Sequence, residues 1–153
     1  MSNNVNINWY PGHMAKTKRQ IEEDLKLIDI VVEILDARIP ISSKNPDVKE
    51  LIKDKKIIEV LNKADLANDK MNAKWSKYYK SNNIEAVLTD SNSGKGMNDV
   101  IKVIEKVASE DKMLQANKGR IGKTIRVLVL GIPNVGKSSF INRLAKKASA
   151  KVG

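Results

Sequence analysis

Gly131-Ile132-Pro133-Asn134-Val135-Gly136-Lys137-Ser138-Ser139 fits the pattern G-x-x-x-x-G-K-[ST], which makes a loop that binds phosphate. The run before it, Ile125-Arg126-Val127-Leu128-Val129-Leu130, is apolar and β-branched and reads as a buried strand. Phe140, Ile141, Leu144 and Ala145 follow at helical spacing. Strand, glycine loop and helix are the setting the pattern needs. Backbone N–H groups of such a loop wrap a β-phosphate, and the helix turns its positive end toward it. Gly131 and Gly136 permit turns and a close approach that a Cβ blocks. Lys137 brings a point charge to the β- and γ-phosphates, and Ser138 offers its hydroxyl to Mg²⁺. Pro133, Asn134, Val135, Gly136 and Ser139 complete the nucleotide-contacting loop. Its position is unusual, because it lies near the C-terminal end of the 153 residues.

Composition narrows the setting. A chain of 153 residues, 41% hydrophobic and 30% charged, reads as one soluble α/β domain with a real core. No apolar run approaches a membrane span, and Met1 to Asn8 is short and polar, unlike a signal peptide. A cytoplasmic protein with no membrane partner is the simple reading. There are no cysteines, hence no disulfides and no thiolate zinc site, and a single histidine cannot build a metal cluster. The net charge of +10 is concentrated at the ends: residues 1–20 and 102–153 are strongly basic, whereas the middle is slightly acidic. Nucleotide phosphates account for Lys137 only. The basic ends suit a polyanion such as RNA or a lysine-rich solvated surface, and charge alone does not separate the two.

Taken in order, the chain opens on Trp9-Tyr10-Pro11-Gly12-His13-Met14-Ala15-Lys16, two aromatics before a Pro-Gly turn signal. A lone histidine such as His13 is usually structural or idle. The spacing of Met14, Ile21, Leu25 and Ile28 predicts a helix over 14–28. Asp29 to Leu35 reads as a buried strand ending in Asp36-Ala37-Arg38-Ile39-Pro40. Asn45 and Pro46 then start a helix whose core face is Val48, Leu51 and Ile52. Lys56 to Leu61 is a further strand. It delivers Asn62-Lys63-Ala64-Asp65 at its C-terminal end, where open parallel sheets bind ligands. In an N-K-x-D sequence the aspartate carboxylate can accept two hydrogen bonds from the edge of guanine. Adenine has no matching pair of donors and would leave the carboxylate unpaired. The Lys63 stem can lie along the base, and Asn62 can bond the base and tie neighbouring loops together.

Asp69 to Lys80 reads as a helix with Met71, Trp75, Tyr78 and Tyr79 inward, a stripe that is core rather than a stacking platform for RNA. A short strand, Ile84 to Leu88, leads into Thr89-Asp90-Ser91-Asn92-Ser93-Gly94-Lys95-Gly96. Ser91 is the candidate to present a backbone N–H to the guanine carbonyl oxygen; a plain glycine-containing loop is the alternative. Met97 to about Leu114 reads as an amphipathic helix facing in through Met97, Val100, Ile101, Ile104, Val107 and Ala108. A basic linker, 116–123, joins it to the strand before the phosphate loop.

The base-recognition elements thus precede the phosphate loop, the reverse of the usual order for a guanine-nucleotide fold. The linker lets the same sheet assemble, so the order is that of a circularly permuted GTPase with a mostly parallel sheet flanked by helices. The opening motif, Leu35-Asp36-Ala37-Arg38-Ile39-Pro40, Asn62-Lys63-Ala64-Asp65 and the phosphate loop together resemble the ribosome biogenesis GTPase A (YlqF) family along essentially the whole chain. That resemblance implies GTP hydrolysis during maturation of the bacterial large ribosomal subunit, with GTP/GDP, Mg²⁺, the large subunit and its rRNA as partners. It makes His13 a water-positioning residue and Asn134, beside Ser138, a metal ligand through K⁺. A sister family with an OB-fold and a cysteine zinc module matches less well, because this chain has neither. The family continues with a threonine-bearing switch, D-x-P-G and a C-terminal RNA-binding domain. The sequence ends at Gly153, so 1–153 is expected to be a permuted GTPase domain cut after the phosphate-loop helix, with weak or no hydrolysis of its own. A nucleotide-gated binding module without catalysis, and a permuted GTPase with a non-ribosomal partner, are the alternatives.

Overall fold

A computed structural model describes residues 7–11, 18–44, 50, 52, 55–110, 124–131 and 135–152. Five strands form one sheet: β1 (Ile7–Pro11), β2 (Ile30–Asp36), β3 (Lys56–Asn62), β4 (Glu85–Leu88) and β5 (Ile125–Gly131). Their order is β1-β5-β2-β3-β4, and every neighbouring pair is parallel. Among the described residues the helices are α1 (Lys18–Leu25), α2 (Asp69–Ser81), α3 (Met97–Glu110) and α4 (Lys137–Val152). Among the described residues no helix is long and apolar enough to cross a membrane.

Every residue of β2 is buried. A parallel strand covered on both faces needs such an unbroken apolar run, which explains why the alternation of a half-exposed strand is missing from the sequence. Alternate side chains serve opposite layers. Ile30, Val32 and Ile34 pack with Ile58, Val60, Val127 and Val129 against the α3 residues Met97, Val100 and Ile104 and the α4 residues Phe140 and Leu144. Val31, Leu128 and Leu130 pack against Ile21 and Leu25 of α1. Leu35 and Leu61 pack against Tyr79 of α2. All six residues expected to face inward on α3 are buried.

Three readings differ from the sequence expectation. The first is β1, which the sequence presents only as aromatics before a turn. It joins the sheet by pairing Ile7 with Ile125 and Pro11 with Val129. A proline is tolerated because β1 is an edge strand, and Trp9 anchors it edge-on to Phe140 at 6.4 Å between ring centroids. The second is α2, where Met71 and Tyr78 are exposed. Asn72 takes an inward place instead, because its amide donates to the Ala64 carbonyl at 3.0 Å. The third is Ala145, which is exposed on α4. Most of the helix expected after Asn45, the start of the helix expected from Met14, the α3 extension past Glu110 and the linker 116–123 lie outside the described residues; of the core face expected after Asn45 only Ile52 is described, and it is buried.

The face of the sheet toward α1 and α2 also holds two acids. Glu33 and Glu59 are register partners on β2 and β3 and are both buried. Lys44 Nζ lies 3.1 Å from Glu59 Oε1 and 3.5 Å from Glu33 Oε1. With two buried carboxyls side by side and one ammonium, Glu59 keeps its proton at neutral pH. Burial, reinforced by the charge of Glu33, pushes Glu59 up to about 8. Burial would depress Lys44, but the two carboxylates outweigh it and hold the ammonium above the usual lysine range. The folded protein therefore keeps a proton that the unfolded chain releases near the ordinary value of 4.5. The stabilisation is full below that value and is lost as pH rises toward about 8. Urea unfolding at about pH 5, 6.5 and 8 is expected to show stability falling across this window, and Glu59→Gln is expected to flatten the slope. An unchanged slope in the variant would contradict a proton held on Glu59.

Candidate functional site

The C-terminal ends of β5, β3 and β4 bring together three loops that are far apart in sequence. β3 ends at Asn62, which is 1% exposed. Lys63 then turns the chain in the left-handed region, with φ 61° and ψ 34°, into a 3₁₀ turn over Ala64–Leu66. Parallel pairing with β4 sets the neighbouring loop at the same height. Thr89 N–H donates to the Leu61 carbonyl at 2.9 Å, and Ala64 N–H donates to the Thr89 carbonyl at 3.0 Å.

The Asn62 carboxamide joins the loops. Its Nδ2 donates to the Val135 carbonyl of the phosphate loop at 2.8 Å and to Ser91 Oγ at 3.1 Å. Its Oδ1 accepts from Thr89 Oγ1 at 3.0 Å and from Ser91 N–H at 3.1 Å. Two donors and two acceptor positions are thereby used, so the amide is fully satisfied while buried. The fit is tight enough to exclude a side chain at Gly136. A Cβ there would lie 2.5 Å from Asn62 Nδ2, and the glycine φ is +89°.

The phosphate side is set by α4. Phe140 N–H donates to the Gly136 carbonyl at 2.9 Å, closing the first helical turn. Phe140 and Leu144, both 0% exposed, fix the helix against the sheet. Lys137 is half-buried, and Ser138 and Ser139 are exposed in the first turn. A helix N-terminus preceded by a left-handed glycine, with a lysine and a hydroxyl in its first turn, suits phosphate and a hard cation such as Mg²⁺.

On the base side, Lys63 is half-buried and Asp65 exposed. Sequence reasoning passed over the pair beside them. Arg38 grips Asp36 through Nε to Oδ1 at 3.0 Å and Nη2 to Oδ2 at 2.7 Å. The Arg38 hydrogen bond holds the Asp36 carboxyl below the usual carboxylate range, with help from the charge of Lys63, while Asp65 adds to the field on Arg38. The available signal was an Asp-x-Arg at the end of a strand next to the N-K-x-D strand.

The expected residues Asn62, Lys63, Asp65, Ser91, Val135, Gly136, Lys137, Ser138 and Ser139 thus all lie on these loops at one end of the sheet. Ser91 differs in detail, because its N–H is engaged by Asn62 rather than turned to a ligand. Thr89, which the sequence reading left without a role, shares the Asn62 acceptor. His13, Pro133 and Asn134 lie outside the described residues. Strand β1 ends at Pro11 opposite Val129, two residues before the phosphate loop opens at Gly131.

A parallel sheet with a phosphate loop after one strand and N-K-x-D after another defines a circularly permuted P-loop GTPase fold. The profile of the 50S ribosome-binding GTPase family matches residues 126–153. A ribosome biogenesis GTPase A of Bacillus cereus is 47% identical over 149 residues, 96% of this chain and 50% of the relative. The one from Thermotoga maritima is 35% identical over 147 residues, 96% of this chain and 49% of its own length. A crystal structure of GNP-bound YlqF from T. maritima superposes with a TM-score of 0.61 at 34% identity, covering 84% of this chain and 47% of that one. The chain spans about half the length of the curated relatives it matches. Over that span it is similar to the ribosome biogenesis GTPase A (YlqF) proteins from end to end.

Asn62→Ala would strand the Val135 carbonyl, the Thr89 hydroxyl and the Ser91 N–H in a buried place. It is expected to cost about 2–4 kcal/mol in denaturant unfolding. A loss below about 0.5 kcal/mol would show that the amide does not hold the loops together.

Proposed function

We propose that this chain is the nucleotide-binding part of a GTPase that binds GTP and GDP and hydrolyses GTP to GDP and phosphate during assembly of the bacterial large ribosomal subunit. The observation that carries the proposal is the Asn62 amide, which bonds the base-side and phosphate-side loops at once. In this reading residues 1–153 are the base- and phosphate-binding portion of a longer GTPase domain. Similarity to ribosome biogenesis GTPases supports the ribosomal part, and the basic ends of the chain suit rRNA. The workplace of such a factor is the cytoplasm.

Each residue has a chemical task. The Asp65 carboxylate accepts from the guanine ring N–H and exocyclic amine, and the Lys63 stem lies along the base. Ser91 and Thr89 keep Asn62 in place beneath it. Backbone N–H groups from Asn134 to Ser139 receive the phosphates, with Pro133 shaping the loop before them, and Lys137 pairs with their charge. Ser138 would hold Mg²⁺, which supplies positive charge against the phosphate oxygens. Asn134 would contribute to a K⁺ site beside them. His13 is assigned to orienting the attacking water, in the role a glutamine has in Ras-like proteins.

The test is GTP turnover with and without purified large ribosomal subunits, in K⁺ and in Na⁺ buffer. Stimulation by large subunits, lost in His13→Ala and weaker in Na⁺, is expected. GTP binding without stimulated turnover would favour a nucleotide-gated binding module. Asp65→Asn is expected to lower GTP affinity by about a hundredfold or more and to favour xanthosine triphosphate, whose base presents the complementary hydrogen-bond pattern. Unchanged discrimination in a competition assay would remove Asp65 from base recognition.

A further inference from the structure

A second contact crosses from the phosphate side to the base side, and it is made by an arginine that the nucleotide-binding motifs leave out. Arg143 lies on α4, six residues after Lys137 and directly before the fully buried Leu144. Its Nε donates to the Ser91 carbonyl at 3.0 Å, and its Nη2 donates to the Asn92 carbonyl. Two consecutive carbonyls of the base loop are thus held by one rigid, planar donor on the phosphate-loop helix. Gly94 makes room for it. A Cβ at Gly94 would stand 3.3 Å from Arg143 Nη1, and the residue has a φ of +88°. The same loop is closed from within by Asn92 N–H donating to Asp90 Oδ1 at 3.0 Å.

The consequence runs through Ser91. Its carbonyl is taken by Arg143, while its N–H and hydroxyl are taken by Asn62. The base loop is therefore gripped from α4 on one side and from β3 on the other. We propose that Arg143 is a positioning residue for base recognition: it seats the Ser91–Asn92 turn on Asn62 and makes retention of the base depend on the phosphate-loop helix. The inference rests on the guanine-nucleotide reading given above. Because α4 carries both Lys137 and Arg143, a nucleotide that orders the first turn of the helix also steadies the loop beside its base.

The experiment compares Arg143→Ala, Arg143→Lys and wild type, using methylanthraniloyl-GDP and, as a ligand without a base, inorganic tripolyphosphate. In Arg143→Ala, labelled GDP is expected to dissociate about tenfold faster or more, the effect of losing charge-assisted hydrogen bonds. Tripolyphosphate affinity, read by competition or calorimetry, is expected to stay within about twofold of wild type. Arg143→Lys, which can keep one of the two carbonyl contacts, is expected to fall between. Gly94→Ala, which crowds Arg143, is expected to speed GDP release in the same way. Equal weakening of GDP and tripolyphosphate would mean that Arg143 only stabilises the fold. No change in GDP release would mean that it does not position the loop. Either result overturns the inference while leaving wild-type GDP binding, and with it the nucleotide reading, in place. Failure of the wild-type protein to bind GDP would overturn both.

Discussion

The site depends on one buried primary amide. Asn62 bonds the base-side and phosphate-side loops together from beneath, and all four of its hydrogen-bonding positions are used. A buried amide of this kind is costly when partly satisfied and specifying when complete. It fixes the height of the Thr89–Ser91 loop relative to Asp65 and forbids a side chain at Gly136. The left-handed turn at Lys63 then sends Asp65 out to solvent while Asn62 stays beneath.

That arrangement does not depend on the order in which the chain visits the strands. The register of β5 against β2 and of β2 against β3 places Gly131, Asp36 and Asn62 at one end of the sheet. Cutting the fold elsewhere and joining its old ends leaves those pairings intact. The central strands are buried on both sides, so their positions are set by apolar packing rather than by the loops. The loops are consequently free to carry polar chemistry at a single edge. The buried Glu33–Glu59–Lys44 cluster lies within this otherwise apolar sheet. It fastens Lys44, just past the Arg38 turn, to the strands beneath.

Much of this was legible in the sequence because the signals were local and redundant. Ile125 to Gly131, the glycine loop and Phe140 with Leu144 gave strand, loop and helix in the right order, and N-K-x-D fell at the end of an apolar run. The α3 face followed from its spacing alone. What escaped notice required long-range pairing. β1 contains an asparagine and ends in proline, and it becomes a strand only because β5 offers it a partner and Phe140 offers Trp9 a surface. On α2, Asn72 faces inward only because Ala64 presents a carbonyl there, which no periodicity reveals. The N–H of Ser91 was expected to face a ligand, but Asn62, 29 residues earlier, claims it. Arg38 and Arg143 are lysine-like surface charges in the sequence and acquire meaning only from the carboxylate and carbonyls they meet.

The account reduces to a claim about chemistry at the Asp65 and Lys137 ends of one site. Calorimetric titration of the protein with GDP and with ADP in Mg²⁺ and K⁺ buffer tests it most directly. The account predicts saturable binding of GDP at one site per chain, with ADP weaker by at least about a hundredfold, because adenine cannot satisfy the Asp65 carboxylate. Equal binding of the two nucleotides, or binding of neither, would contradict it.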